Sequence, residues 1–102
     1  MRLLLALVAA AHLARGAVIQ GMVVEYGSGL PLSRSRVTLD AVDSTGVHRV
    51  KSVLTGRQGA FTFTDLPTGR YLLSASRASY TTAWYGQRRP EGFGQLLDLR
   101  LA

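Results

Sequence analysis

The chain has 102 residues and no cysteine, which is enough for one domain and excludes a fold supported by disulfides. Twelve lysine and arginine residues against six acidic residues give a formal net charge of +6. Because the basic residues are scattered, they indicate a solvated surface with only a weak preference for anionic polymers or phosphate headgroups.

Residues 1–16 have the pattern of a secretory signal peptide. A basic residue at position 2 precedes an apolar run, and Ala14 and Gly16 are the small residues that a signal peptidase requires. The run is too short to span a bilayer comfortably. Cleavage after Gly16 would leave residues 17–102 as an exported domain without a membrane span, in the periplasm, at the cell surface or outside the cell. The alternative is a retained segment, either a buried first strand or an uncleaved anchor.

The clearest strand signals lie within residues 55–77. Phe61 and Phe63 alternate with threonines, so both rings point to one face of a strand. Tyr71 and Leu73 alternate with polar residues in the same way on a second strand. We expect the two apolar sets to lie on the same side and to share a core that the other strands cover.

Two turns bound these strands. Gln58-Gly59 is a turn pair. Residues 65–69 break the strand pattern, because Pro67 fixes its own φ and Gly69 is free to adopt a positive φ. The sequence therefore predicts a sharp turn between the two strands.

The remaining chain predicts further short strands separated by glycine-rich or polar turns, and no amphipathic helix after residue 16. The predicted strand at residues 47–55 contains several polar residues, Arg49 and Lys51 among them, which indicate an exposed edge position. The sequence leaves open whether the last alternating segment is the closing strand or whether a further strand is missing. The predicted strands are 18–25, 36–42, 47–55, 81–85 and 96–101.

The pattern T-x-x-x-G-x-F-x-F-x-x-L-P-x-G-x-Y-x-L, which begins at Thr55, resembles the carboxypeptidase regulatory-like domain family. The resemblance covers roughly residues 18–99 and implies an all-β fold, a seven-stranded (or one strand short) Greek-key prealbumin-like β-sandwich. Starch-binding-like domains and transthyretin have a related shape. The chain departs from the family at Arg34 and Ser35, where small residues are usual, and at Ser79, which replaces a glycine. These departures concern local turns.

Candidate catalytic and metal-binding residues are few. His48 is the only histidine after residue 16 and lies on a strand that is predicted to be exposed, without a nucleophile motif beside it. Asp40 and Asp43 straddle a strand end, which is more typical of a solvated loop than of a calcium site. The resemblance also implies no zinc ligands, and the histidines and C-terminal motif of the transthyretin-like hydrolases are missing. We therefore expect no enzymatic activity, no metal and no cofactor.

The candidate ligand surface is the aromatic and basic segment near the C-terminus. An aromatic ring beside hydrogen-bonding side chains is suited to stacking on a sugar, and arginines are suited to anionic polymers. Adjacent residues of a strand face opposite ways, so one aromatic residue can close the core while the other stays exposed. The alternative is that the aromatic residues only close the sandwich and the arginines are solvated. The candidate residues are Trp84, Tyr85, Gln87, Arg88 and Arg89.

These features predict an exported, non-catalytic module that binds carbohydrate or another extracellular ligand. The alternative is a purely structural accessory domain that packs on a partner protein. A transthyretin-like hydrolase is disfavoured by the missing motifs. Nucleic acid is disfavoured as a partner, because export removes it and no recognition motif is present.

Overall fold

A computed structural model gives the structure of the chain. It describes residues 3–13, 16–86, 94 and 96–99, with the backbone alone for 4–13. The described residues form an all-β, antiparallel fold with two sheets that share one hydrophobic core. The strands are β1 (Leu3–Leu13), β2 (Gly16–Glu25), β3 (Arg36–Asp43), β4 (Gly46–Leu54), β5 (Ala60–Leu66), β6 (Gly69–Ser76), β7 (Ala83–Trp84) and β8 (Leu97–Leu99).

The strands are divided between a smaller and a larger sheet. The smaller sheet has the order β1-β2-β5, and the larger has the order β4-β3-β6-β7, with β8 also paired to β6. Within the described residues, seven of the strands follow position 15, which confirms the predicted all-β sandwich. Packing one face of each sheet against the other allows a chain without disulfides to bury its apolar side chains.

The core consists of the inward-facing side chains of both sheets. Phe63 and Ile19, which are paired in the smaller sheet, are 1% and 0% exposed, and Leu39 and Leu73, paired in the larger sheet, are equally buried. The rings of Phe61 and Phe63 lie 5.9 Å apart at 60°, a tilted arrangement that aromatic pairs favour. The core that the alternation predicts is confirmed.

The segment between β5 and β6 differs from its sequence-based prediction in two respects. The prediction placed the apolar side chains of β5 and β6 on the same side of the core, but the two strands lie in opposite sheets and contact the core from opposite sides. Residues 65–69 carry the chain from one sheet to the other. The positive φ belongs to Asp65 (57°), whereas Gly69 begins β6 outside the left-handed region. Aspartate tolerates this conformation better than most residues, so glycine is not required there. The Tyr71 hydroxyl donates a hydrogen bond to the Pro67 carbonyl at 2.6 Å and holds the crossing in place.

The edge position predicted for residues 47–55 is confirmed. β4 is the outer strand of the larger sheet and nearly all of its side chains are exposed. Lys51 Nζ donates a hydrogen bond to the Thr64 carbonyl at 3.2 Å. Toward the C-terminus, the strand predicted at 81–85 is limited to Ala83–Trp84, and the last alternating segment contributes Leu97–Leu99 on β6.

The N-terminal segment forms a strand in this structure of the uncleaved chain. β1 runs antiparallel to β2 from Leu3↔Glu25 to Leu13↔Gly16, and the Leu3 side chain joins the core. Removal of residues 1–16 by a signal peptidase stays a prediction.

The described part of the chain contains no helix that is long and apolar enough to cross a membrane.

Candidate functional site

Trp84 and Tyr85 face opposite sides of the larger sheet. Ala83 is buried and Tyr85 packs against the core, so the half-buried Trp84 between them lies on the outer face. The returning chain approaches Trp84 closely, since a Cβ at Gly94 would lie 2.9 Å from the Trp84 Cβ. The two aromatic residues therefore face opposite ways, as predicted, but Trp84 is half-buried and not exposed. Gln87, Arg88 and Arg89 lie outside the described residues.

Trp84 stands at one end of a row of side chains that crosses the outer face. The strand register places it beside Ser74, Ser74 beside Thr38, and Thr38 beside Ser52. Directly opposed side chains on one face lie about 5 Å apart. Ser74 and Thr38 are each only 8% exposed, so neighbouring side chains cover them even though they face outward. This row combines one aromatic ring with three hydroxyl groups.

An arginine-lined cleft lies at the end of the same face. It has a volume of about 450 Å³, and its charged lining consists of Arg34, Arg36 and Arg77. Arg36 is paired with Ser76, which lies two residues along β6 from Ser74 and on the same face of the sheet. Residues two apart on a strand are about 6–7 Å apart, so the cleft adjoins the tryptophan row. We call the row and the cleft together the Trp–Arg face. The remaining lining residues are Leu54, Ser76, Ala78, Tyr80 and Thr82.

Buried hydroxyl groups fix the loop that presents Arg34. Thr55 Oγ1 donates to the Leu32 carbonyl at 2.7 Å and accepts from the Ser35 amide at 2.9 Å. The Arg34 amide donates to the Thr55 carbonyl at 3.0 Å. Arg34 itself has a φ of 55°, a left-handed conformation that costs about 1–2 kcal/mol for a residue with a Cβ. The loop is therefore held rigidly at the rim of the cleft.

Arg77 and Tyr80 form the opposite wall. Arg77 Nε donates to the Ser33 carbonyl at 3.0 Å, and its guanidinium carbon lies 5.6 Å from the centre of the Tyr80 ring. The Tyr80 hydroxyl donates to Glu25 Oε2 at 2.9 Å. Hydrogen bonds from Ser28 and then from Tyr80 lower the pKa of Glu25, and the bond to Glu25 raises the pKa of Tyr80. Both groups therefore keep their roles at neutral pH, Tyr80 as donor and Glu25 as acceptor.

The cleft is electrostatically positive. Among the described residues, no carboxylate lies within 4.0 Å of the guanidinium groups of Arg34, Arg36 or Arg77. The ion pair that the described residues do contain joins His48 and Asp43, at the other end of the sheet. Arg36 Nη1 is held by Ser52 Oγ at 3.2 Å, and the Nε of Arg77 is bound to a carbonyl. The other N–H groups of these fixed side chains are suited to binding a carboxylate or sulfate group.

The remaining titratable candidates lie on the surface. His48 is half exposed, 3.4 Å from Asp43 Oδ1 and 2.8 Å from Thr45 Oγ1. The Thr45 hydroxyl and amide lower the pKa of Asp43 by hydrogen bonding. Asp40 is opposed to Arg49 in the strand register. In the described residues, no group of three or more His, Cys, Asp or Glu is arranged to hold a metal ion.

Sequence reasoning missed the arginine cleft. Arg77 contacts Ser33 from 44 positions away, and scattered arginines appear as solvated charges until the fold brings them together. The available signal was the departure from the family pattern at Arg34 and Ser79. Both residues have a positive φ; Arg34 lines the cleft, and Ser79 lies between the lining residues Ala78 and Tyr80. Strained backbone of this kind clusters at binding sites.

The fold and the open surface site define a small β-sandwich module. The chain belongs to the carboxypeptidase regulatory-like domain family, whose model matches residues 18–102. Domains of this family are non-catalytic β-sandwich modules. A search of curated proteins found no match, and neither did a search of solved structures.

Proposed function

We propose that this chain is an exported, non-catalytic binding module whose ligand is an acidic carbohydrate. The observation that carries the proposal is the Trp–Arg face, which places one aromatic ring, a row of hydroxyl groups and three guanidinium groups on the same side of the larger sheet. The membership in a family of non-catalytic modules supports a binding role, and the signal-peptide pattern supports export.

The chemistry of the face matches the chemistry of such a ligand. A sugar ring stacks its C–H face on an indole, which contributes contact area, and sugar hydroxyls exchange hydrogen bonds with the exposed hydroxyl group of Ser52. A carboxylate or sulfate group on the neighbouring sugar would reach the cleft, where planar guanidinium groups give directional, charge-assisted hydrogen bonds. The arginines thereby select acidic over neutral chains.

Binding is tested with dextran and its sulfated derivative, two polymers with the same backbone that differ in charge, and with polygalacturonate as the carboxylate case. We expect the protein to bind the two acidic polymers and not dextran. Arg34→Gln combined with Arg36→Gln is expected to weaken binding about tenfold or more, since hydrogen bonds to charged groups contribute about 1.5–3 kcal/mol each. Trp84→Leu is expected to weaken it through lost stacking.

The matched control is Arg49→Gln combined with Lys51→Gln on β4. It removes the same charge from the same sheet outside the cleft, so it should change the affinity less than twofold. Equal losses in both double variants would show that the polymers bind to overall charge alone, and the assignment of the site would be wrong. The same conclusion holds if Trp84→Leu and the cleft variant both bind normally.

The export half of the proposal is tested separately. N-terminal sequencing of the protein recovered from outside the cytoplasm is expected to begin at or near Ala17, because Ala14 and Gly16 satisfy the cleavage pattern. Recovery of the intact N-terminus only from the cytoplasm would contradict export.

One observation favours the accessory-domain alternative. The edge strand β4 exposes the large apolar side chains Val47, Val50 and Leu54. Exposed apolar groups on one strand are a feature of surfaces that pack on another protein. This function prevails if none of the acidic polymers binds.

A further inference from the structure

The smaller sheet has an edge that is covered by a segment outside the family match. β2 pairs with β5 along one side and with β1 along the other. The family model begins at residue 18, whereas β1 ends at Leu13. β1 is therefore an addition to the family's part of the chain, and it occupies the second edge of β2 in this structure.

The backbone groups of β2 are divided between these two neighbours. Val23 donates its amide hydrogen to the Gly59 carbonyl at 2.8 Å and accepts from the Leu32 amide at 3.0 Å, so it is turned away from β1. Because successive residues of a strand point their N–H and C=O groups to opposite sides, Ile19 and Gly21 face β5 as Val23 does. The even-numbered residues, Gln20 and Met22, then face β1.

The segment that lies on this edge shows which chemistry fits it. β1 has 11 residues, LLLALVAAAHL, without a lysine, arginine or carboxylate. It runs antiparallel to β2, with a single irregularity between Leu7 and Ala9. Leu3 is 5% exposed and belongs to the hydrophobic core, so the occupant of this edge also closes that part of the sandwich.

We propose that the edge of β2 is a strand-acceptor site, and that after cleavage behind Gly16 it binds an extended, uncharged, apolar segment of a partner protein. Loss of β1 would leave the backbone N–H and C=O groups of the even-numbered residues of β2 without partners. It would also expose the part of the hydrophobic core that Leu3 covers. An open strand edge of this kind pairs with an added strand. The partner segment runs antiparallel to β2, as β1 does. The proposal rests on the export part of the proposed function and is independent of carbohydrate binding.

The test uses the full chain with Leu4→Pro and Ala6→Pro. These residues are opposed to Val24 and Met22, and proline removes the amide donors that the pairing needs. Amide hydrogen exchange is followed residue by residue. We expect the even-numbered amides of β2 to exchange at least tenfold faster than in the unmodified chain, while Ile19, Gly21 and Val23 change less than twofold. The odd-numbered amides thus serve as an internal control.

A peptide with the sequence of residues 3–13 and a lysine tail for solubility is then added to this variant. Restored protection of the even-numbered amides supports the proposal, provided that the same peptide with the two prolines has no effect. Three results would overturn the proposal. The unmodified peptide could fail to restore protection of the even-numbered amides, or the proline variant could lose protection at the odd-numbered amides as well. The third is a dimer of the variant, detected by sedimentation, in which the two β2 edges pair with each other. No polysaccharide takes part, so failure here leaves the test of the Trp–Arg face unaffected.

Discussion

Replacing Phe63 with alanine is expected to remove a large part of the protein's stability. Phe63 is 1% exposed, lies 5.9 Å from the ring of Phe61 and is paired with the fully buried Ile19. Removing a buried phenylalanine ring costs about 3–5 kcal/mol, because the apolar contacts are lost and a cavity stays behind. A small domain has a total stability of roughly 5–15 kcal/mol, and this chain, which has no cysteine, has no disulfide to offset the loss.

The measurement is the free energy of unfolding in urea. Thr62→Ala is the matched control, since Thr62 is the exposed neighbour on the same strand and its side chain points away from the core. We expect the control to stay within about 0.5 kcal/mol of the unmodified protein, as is usual for surface substitutions. If Phe63→Ala left the urea midpoint unchanged, the core would have to be centred elsewhere.

Gly59→Ala is expected to have the second-largest effect on stability. Gly59 has a φ of 71°, and its carbonyl accepts the Val23 amide at 2.8 Å, which ties the turn before β5 to β2. An added Cβ would collide with the Val23 carbonyl oxygen, which accepts the Leu32 amide. The left-handed conformation costs a non-glycine residue about 1–2 kcal/mol, and weakening that hydrogen bond costs about 1 kcal/mol more. The expected loss is therefore roughly 2–3 kcal/mol.

Gly56→Ala is the control for this substitution. Gly56 belongs to the same turn, but its φ is not in the left-handed region and an added Cβ would have nothing within 4 Å. Thermal and urea unfolding of the two variants should therefore separate clearly. Equal stability losses would mean that loss of glycine's flexibility in the turn, rather than the contact with β2, decides the outcome.

The strands and the core were accessible from the sequence because they depend on short-range patterns. Alternation over 61–63 and 71–73 assigns those side chains to one face of each strand, and the burial of Phe63 and Leu73 follows directly. Gly59 was recognisable as a turn residue for a similar local reason. The alternation contains no information on which strands pair, however, so it did not show that β5 and β6 belong to opposite sheets.

The candidate site was accessible only in part. That Trp84 and Tyr85 would face opposite ways follows from the two-residue period of a strand, and the structure has Tyr85 on the core side. The arginine cleft depends on tertiary contacts instead. Arg34 lies at its rim because the buried Thr55 holds the loop from 32 to 35, and Arg77 reaches the cleft because β6 pairs with β3.

The sequence by itself determined the all-β class, the family, the identity of the buried aromatic residues and the turn at Gly59, because each depends on residues within a few positions of one another. Tertiary structure decided the division into two sheets, the location of positive φ at Asp65, the Trp–Arg face and the pairing of β1 with the second edge of β2. These features depend on pairing between segments far apart in the chain, and the physical reason is that backbone hydrogen bonding specifies a partner only once the strands have been brought together.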